Sequence, residues 1–156
     1  MGEYAVELVV SPEQLAEAFA VRLRVFVGEQ GIPEAEEFDD DDFAPSTTHA
    51  IVRDLETGDV VGTARLIFET DPERENEARI GRVAVNPEFR HQGLGAMLMR
   101  ALERRALLSL DPVTIFLSAQ LTAASFYEKQ GYQLIGPVYD DVGIPHRDAI
   151  KMLGGQ

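Results

Sequence analysis

The chain has 156 residues, 45% hydrophobic and 26% charged, with 27 acidic side chains against 14 lysines and arginines and a formal net charge of −13. That length suits one domain with a sizeable core, and the acidic surplus repels phosphate backbones, which argues against nucleic acid as a partner. There is no cysteine, so disulfides, thiolate metal sites and an acyl-cysteine intermediate are excluded, and the cytoplasm is the default compartment.

No apolar run approaches the ~20 residues of a membrane span. Met1 to Val10 carries two glutamates and no basic segment, unlike a secretory signal. Tyr4 to Val10 reads as a first strand. Ser11-Pro12-Glu13-Gln14 then opens a helix: Ser11 can cap it, Pro12 suits the first helical position and Gln14 completes a capping box. Leu15, Phe19, Arg22 and Phe26 recur near the helical period, and Arg22 interrupts the apolar face. An arginine there is expected to snorkel from the edge of that face rather than to contact a ligand.

Gly28 to Thr48 is turn-rich and acidic, with Glu29, Glu34, Glu36, Glu37 and the run Asp39 to Asp42. A calcium loop does not fit, because the position that needs glycine, counted from Asp39, is Ala44. Two readings stand: a solvated acidic loop, or a flap over an amine-binding pocket. His49 to Arg53 and Val60 to Phe68 read as strands joined through the turn Asp54 to Asp59. Asp71-Pro72-Glu73-Arg74 begins an exposed connection. Glu77 to Val85 pairs back as the next strand, which Asn86-Pro87 ends.

Arg90-His91-Gln92-Gly93-Leu94-Gly95 follows, and Leu94 to Leu108 reads as a helix. Glycines at a strand-to-helix junction let backbone come close to a ligand. The first N–H groups of a helix have no partner within it and suit an anion such as a pyrophosphate. A plain turn and helix cap would look the same. The chain has no G-x-x-x-x-G-K-[ST], and Gly93 and Gly95 lack the third glycine of G-x-G-x-x-G, so neither nucleotide motif is present. The pattern is R-x-x-G-x-G. Along the helix Arg100, Glu103 and Arg104 share one face, opposite Leu94, Met97, Leu98, Ala101 and Leu102. Past Asp111-Pro112, Val113 to Leu117 suits a strand buried on both faces. Thr122 to Gln130 reads as a short helix stopped at Gly131. Tyr132 to Ile135 and Pro145 to Met152 complete the strands.

R-x-x-G-x-G from Arg90 to Gly95 resembles the pyrophosphate loop of the GNAT superfamily of N-acetyltransferases. Residues 118–132, SAQLTAASFYEKQGY, resemble that superfamily's downstream motif, N-x-x-A-x-x-[LF]-Y-x-x-x-G-[FY]. Ala123, Phe126, Tyr127, Gly131 and Tyr132 fall in place, and Gln120 stands where asparagine is commoner. VRLRVFVGEQGIPEAEEFDDDD before His49, with GIPHRDAIKM near the end, resembles the ElaA-like branch. The resemblance implies an α/β (α+β mixed) fold: a mostly antiparallel mixed sheet of six or seven strands, flanked by about four helices and split where coenzyme A enters. It implies acetyl-CoA as co-substrate without a metal, the primary amine of a small molecule or peptide as acceptor, and a homodimer.

The resemblance also assigns roles. The backbone of Gln92, Gly93, Leu94, Gly95 and Ala96 would cradle the pyrophosphate, with Arg90 and His91 beside it. The strand before the loop would splay at a bulge, so that Val83, Ala84 and Val85 bind the pantetheine amides and aim an N–H at the thioester oxygen. The Gln120 amide would hydrogen-bond the pantetheine arm, and Tyr127 would give the leaving thiolate a proton. Some members place a glutamate base on the strand before the loop; the matching position is Arg79, which cannot serve. Glu36, Glu37, Glu69, Asp140, His49 and His146 are candidates, and the spacing selects none. Glu36, Glu37, His49 and His146 are the residues set beside the acceptor. The acidic loop points to a cationic acceptor. With no cysteine and no serine-hydrolase elbow, direct transfer in a ternary complex is expected. A non-catalytic acetyl-CoA sensor, or an interaction domain whose glycine loop is only a turn, would share the fold.

Overall fold

The computed structural model describes residues 2–155. Strand β1 (Tyr4–Leu8) leads into helix α1 (Pro12–Arg22). Ser11 Oγ accepts from the Gln14 N–H at 3.2 Å, and Gln14 Oε1 accepts from the Ser11 N–H at 3.1 Å, so the capping box forms as its residues dictate. Instead of ending at Arg22, the helix loosens into a π-helical run, Leu23–Glu29. The later helices are α2 (Glu34–Glu37), α3 (Leu94–Ser109) and α4 (Ala124–Lys129). The later strands are β2 (Thr48–Asp54), β3 (Val60–Phe68), β4 (Glu77–Val85), β5 (Val113–Gln120), β6 (Gln133–Asp141) and β7 (Ile144–Leu153). No helix among the described residues is long and apolar enough to cross a membrane.

The seven strands form one sheet in the order β1-β2-β3-β4-β5-β7-β6, antiparallel throughout except for β4 beside β5. This is the mixed, mostly antiparallel sheet with four helices that the resemblance implies. Helix α3 covers one face, where Leu94, Leu98, Met99 and Leu102 are buried with Val52, Leu66 and Ile115. Burying each such side chain stabilises by about 1.5–3 kcal/mol. On the other face, Val21, Val25 and Phe26 bury a smaller patch with Ile32 and Ala84.

Two irregularities in β4 open the sheet. Parallel pairing with β5 lasts only from Glu77 opposite Thr114 to Arg79 opposite Phe116. Beyond that the strands part, while β5 pairs with β7 along its whole length, from Val113 to Gln120. On its other edge β4 carries a bulge: Ala84 opposes Thr63 but Gly81 opposes Arg65, which leaves one extra residue on β4. Arg82 sits in the bulge with φ 53°. That conformation is unfavourable for a side chain with a Cβ. Here the Arg82 guanidinium anchors it, donating to the Glu37 carbonyl at 3.1 and 3.0 Å. Both the bulge and the splay of the strand before the loop are therefore present.

The structure corrects several sequence expectations. Arg22 does not snorkel; it is 1% exposed. It donates to Glu37 and Asp42 carboxylates at 2.9 and 2.6 Å, with its guanidinium 5.2 and 4.9 Å from the Phe19 and Phe38 ring centres. The acidic segment is solvated only in part: Glu29, Glu34, Glu36 and Asp39 to Asp41 are exposed. Its Glu37 and Asp42 are buried, and with Asp39 they balance Arg22, Arg65 and Arg82 in a network of three cations and three carboxylates. Arg100 and Arg104 are exposed as expected, but Glu103 is buried. It accepts from the Tyr132 hydroxyl at 2.8 Å and from Lys151 Nζ at 3.0 Å, because Tyr132 and β7 cover that side of α3. Strand β6 runs past Ile135 to Asp141. Gly136 and Pro137 interrupt the strand signal, yet they fall in an irregularity between the pairs Ile135–Asp148 and Tyr139–His146. The β6–β7 hairpin closes through Val142 and Gly143, at φ 48° and 81°, the signs a two-residue type I′ turn requires.

Candidate active site

The loop after β4 delivers backbone to the N-terminus of α3, and its two glycines are needed for different reasons. Gly93 precedes the helix at φ 80° and ψ 12°, and a Cβ there would meet nothing within 4 Å. Conformation, not space, calls for glycine at that position. Gly95 has an ordinary φ, but a Cβ on it would stand 3.0 Å from Phe126 Cζ of α4. The first bond of the helix runs from the Met97 N–H to the Gly93 carbonyl at 3.1 Å. The N–H groups of Leu94, Gly95 and Ala96 have no acceptor within the helix, at its positive end.

Arg90 turns its Nε to the Val85 carbonyl at 2.9 Å and makes a two-point ion pair with Glu29 at 2.7 and 2.5 Å. Hydrogen bonding from Arg90 holds the Glu29 carboxyl below its ordinary range. Exposed His91, at φ 66°, lines the cavity that opens between β4 and β5. Gln92 does not; its side-chain carbonyl accepts from the Tyr4 hydroxyl at 2.9 Å.

The gap between β4 and β5 is a cavity of about 900 Å³, within the usual range of small-molecule sites. Val83, Ala84 and Val85 line it from β4, Ser118 and Gln120 from β5, and Gly93 to Ala96 from the loop and helix start. The Asn86 N–H donates to Val61 at 2.8 Å, so strand alternation turns the Ala84 backbone toward β3 and the Val85 backbone toward the gap. Gln120 already has a partner: its amide and that of Gln30 bond reciprocally at 2.7 and 3.2 Å across the cavity wall.

Helix α4 brings Tyr127 to the same cavity. Its ring is buried edge-on between Phe126 and Tyr132, with centres 5.0 and 6.1 Å away. Among the described residues its hydroxyl has no hydrogen-bond partner. Burial pushes its pKa above the ordinary value of 10, so the phenol stays protonated.

The other candidates separate into two groups. Glu36, Glu37 and His146 line the cavity; His49, Glu69 and Asp140 do not. His49 is buried instead behind the acidic segment, with Nε2 3.0 Å from the Asp42 carbonyl and its ring against Phe19. Burial lowers its pKa. Glu37 is engaged by Arg22 and Arg82, and burial raises its pKa. His146 stacks on Tyr139 and holds Nδ1 2.7 Å from the Ile144 carbonyl. A carbonyl oxygen only accepts, so Nδ1 carries the hydrogen and the neutral ring leaves Nε2 as an acceptor.

Sequence reasoning missed the arginine–carboxylate network beneath this cavity. Its signals were two isolated cations: Arg22 on an apolar helix face and Arg65 in the otherwise apolar strand from Val60 to Phe68. Among the described residues no group of three or more histidine, aspartate or glutamate side chains is placed to hold a metal ion.

A split sheet, a helix N-terminus beside the split and a buried phenol in one cavity define a domain of the acyl-transferring kind. The sequence profile of the acetyltransferase (GNAT) family matches residues 15–132, and the chain belongs to that family. It is 34% identical to the uncharacterized N-acetyltransferase YjcF of Bacillus subtilis, over 89% of this chain and 93% of that one. It superposes on the crystal structure of Escherichia coli ElaA with a TM-score of 0.82 at 26% identity, covering 97% of this chain and 99% of that one. An acyl-CoA N-acyltransferase from Pseudomonas aeruginosa gives 0.78 at 31% identity, again over 97% and 99%. The protein is an acetyltransferase with ElaA among its relatives.

Proposed function

We propose that this acetyltransferase moves the acetyl group of acetyl-CoA directly to a primary amine in a ternary complex within the β4–β5 gap. The observation that carries the reading is the shared cavity: Tyr127, whose hydroxyl has no hydrogen-bond partner among the described residues, lines the same space as the first residues of α3. The residues fit the cofactor. The N–H groups from Gly93 to Ala96 hold its pyrophosphate, with Arg90 and His91 flanking them, and the close packing of Gly95 on Phe126 keeps that turn free of side chain. Val83 to Val85 hold the pantetheine arm, with the second donor of the Gln120 amide opposite.

Bound acetyl-CoA supplies an activated thioester, and transfer forms the C–N bond of the amide as the C–S bond breaks and the thiolate leaves with its electron pair. The β4 backbone aims an N–H at the carbonyl oxygen, a contribution of about 2.7–4 kcal/mol in comparable sites. Tyr127 gives its proton to the leaving sulfur. The amine must lose a proton; for a group with pKa near 10.4 that costs roughly 4.6 kcal/mol at pH 7. His146 Nε2 accepts it, directly or through one water. The second proton, lost from nitrogen as the amide forms, restores the one that Tyr127 gave to sulfur, so the step balances.

The test is thiol release from acetyl-CoA across an amine panel, with mass spectrometry of the acceptor. Amine-dependent thiol release and a product heavier by one acetyl group support the reading. Thiol release independent of any amine, or none with any amine, overturns it.

A further inference from the structure

Arg79 enters the cavity wall where β4 and β5 begin to part. It opposes Ile67 on β3 and Phe116 on β5, and both Arg79 and Ile67 line the cavity. Arg65 opposes Gly81 two positions along, so the strand period places Arg65 and Arg79 on one face of the sheet. Gly81 has no side chain, and nothing lies within 4 Å of where a Cβ would be. The surface between the two arginine positions is open.

In a chain with 27 acidic residues against 14 basic ones, a cation without a partner stands out. Among the described residues Arg79, Arg100, Arg104 and Lys129 have neither an ion pair nor a side-chain hydrogen bond, and of these only Arg79 lines the cavity. Arg65 adds a second unmet donor. It is 6% exposed and its terminal nitrogens bind Asp39 and Asp42, yet its buried Nε–H has no partner. Buried donors left unpaired are rare and mark places where a group is missing. Glu36 and Asp141 line the same cavity without ion pairs among the described residues. The cavity therefore offers uncommitted charge of both signs, while Glu37, Asp39 and Asp42 of the acidic segment are already engaged.

We propose that the acceptor is an amino acid, whose carboxylate binds Arg79 with Arg65 Nε behind it and whose ammonium end faces the carboxylates of the cavity before it is deprotonated. A guanidinium meets a carboxylate through two parallel hydrogen bonds, which fixes orientation as well as charge. At the position matched to the glutamate that some members of the superfamily carry on this strand, Arg79 anchors the acceptor. This assignment rests on the acetyl-transfer reading of the same cavity.

The test uses the full chain and acetyl-CoA with amino acids, each compared with its carboxamide and its decarboxylated amine. The free acid is expected to have a kcat/KM roughly tenfold or more above its counterparts. Arg79→Gln is expected to bring that ratio within about twofold of unity, mainly through KM, and Arg79→Lys to restore part of it. Arg100→Gln, on the exposed face of α3, keeps the full preference. Calorimetry with coenzyme A present supplies a readout independent of turnover: an N-acetyl amino acid binds the wild type and not Arg79→Gln. Equal use of acids and carboxamides by the wild type, or an unchanged preference in Arg79→Gln, overturns the proposal while leaving acetyl transfer intact. No heat with acetyl-CoA and no thiol release with any acceptor would overturn both.

Discussion

Gly95 at the start of α3 faces the Phe126 ring of α4 so closely that a Cβ on Gly95 would stand 3.0 Å from Phe126 Cζ. The glycine of the first sequence motif and the aromatic of the second are thus one contact, and the residue after that aromatic is Tyr127. The proposed cofactor loop and the proposed proton donor are fixed relative to each other by the absence of a side chain. Gly95→Ala forces the ring or the first turn of α3 to shift by a few tenths of an ångström. Acetyl-CoA affinity is expected to fall roughly tenfold, and Phe126→Leu in the same chain to recover most of it. Calorimetry checks both, and wild-type affinity in Gly95→Ala would dissociate the contact from the cofactor site.

The Tyr127 hydroxyl has no hydrogen-bond partner among the described residues to lose, so removing it should leave the fold alone. Tyr127→Phe is expected to lower kcat by about 10²-fold, the scale of general acid catalysis. The acetyl-CoA dissociation constant stays within about twofold, because the lost proton matters only as the thiolate forms. Burial lifts the Tyr127 pKa above 10, so no loss of activity between pH 7 and 9 should trace to its ionisation. Equal kcat in the two proteins would remove Tyr127 from the chemistry.

Arg90 meets Glu29 through two hydrogen bonds at 2.7 and 2.5 Å, next to the proposed pyrophosphate cradle. In the proposed site, Glu29 and the phosphates would therefore compete for one guanidinium. Glu29→Gln is expected to tighten acetyl-CoA binding by roughly threefold and to make it fall more steeply with salt, since an exposed charge is screened over about 10 Å at 0.1 M. Stability should change by less than about 1 kcal/mol, as for other partly exposed pairs. Weaker binding in Glu29→Gln would mean that Glu29 positions Arg90 rather than competes for it.

Asp42 lies between Arg22 and Arg65, at 2.6 and 2.7 Å. Burial alone would raise its pKa, but hydrogen bonds from Arg22 and the Asp39 amide, with the charges of Arg22 and Arg65, hold it at about 2 against an ordinary 3.8. A depressed carboxylate stabilises the fold above its unfolded pKa, and that contribution is lost as pH falls through the folded value. It amounts to about 2 kcal/mol, disappearing between roughly pH 4 and pH 2. Glu37 acts in the opposite sense, because burial raises its pKa and favours its protonated form in the fold. Asp42→Asn leaves two buried guanidinium groups short of a counter-charge and is expected to cost about 3–5 kcal/mol at pH 7. Urea unfolding at pH 7 and pH 3 measures both effects. A loss below about 1 kcal/mol at pH 7 would show the network to be dispensable.

The strands and helices that shape the cavity were legible because their signals are local. Ser11 and Gln14 cap α1, and β4 ends at Val85, where Asn86-Pro87 closes it. Residues that act across the fold were not. Arg22 looked like an edge cation because its partners, Glu37 and Asp42, lie 15 and 20 positions away. Glu103 fell on the charged face of α3 by spacing, and its partners Tyr132 and Lys151 lie 29 and 48 positions away. Gln120 showed its amide in the motif but not its pairing with Gln30, 90 residues earlier. The acidic segment pointed to a cationic acceptor, yet three of its carboxylates serve the fold, and the unpaired charge on the cavity wall includes Arg79.

The most direct measurement is thermal unfolding of the protein with increasing acetyl-CoA, alongside Gly95→Val. Ligand at 100 times its dissociation constant stabilises the folded state by ~2.7 kcal/mol, which for a chain of this length raises the midpoint by roughly 8 °C. A dose-dependent rise of that size in the wild type, absent from Gly95→Val, is the predicted result. A folded wild type whose midpoint does not move at millimolar acetyl-CoA would contradict the assignment of the cofactor site and, with it, the acetyl-transfer mechanism.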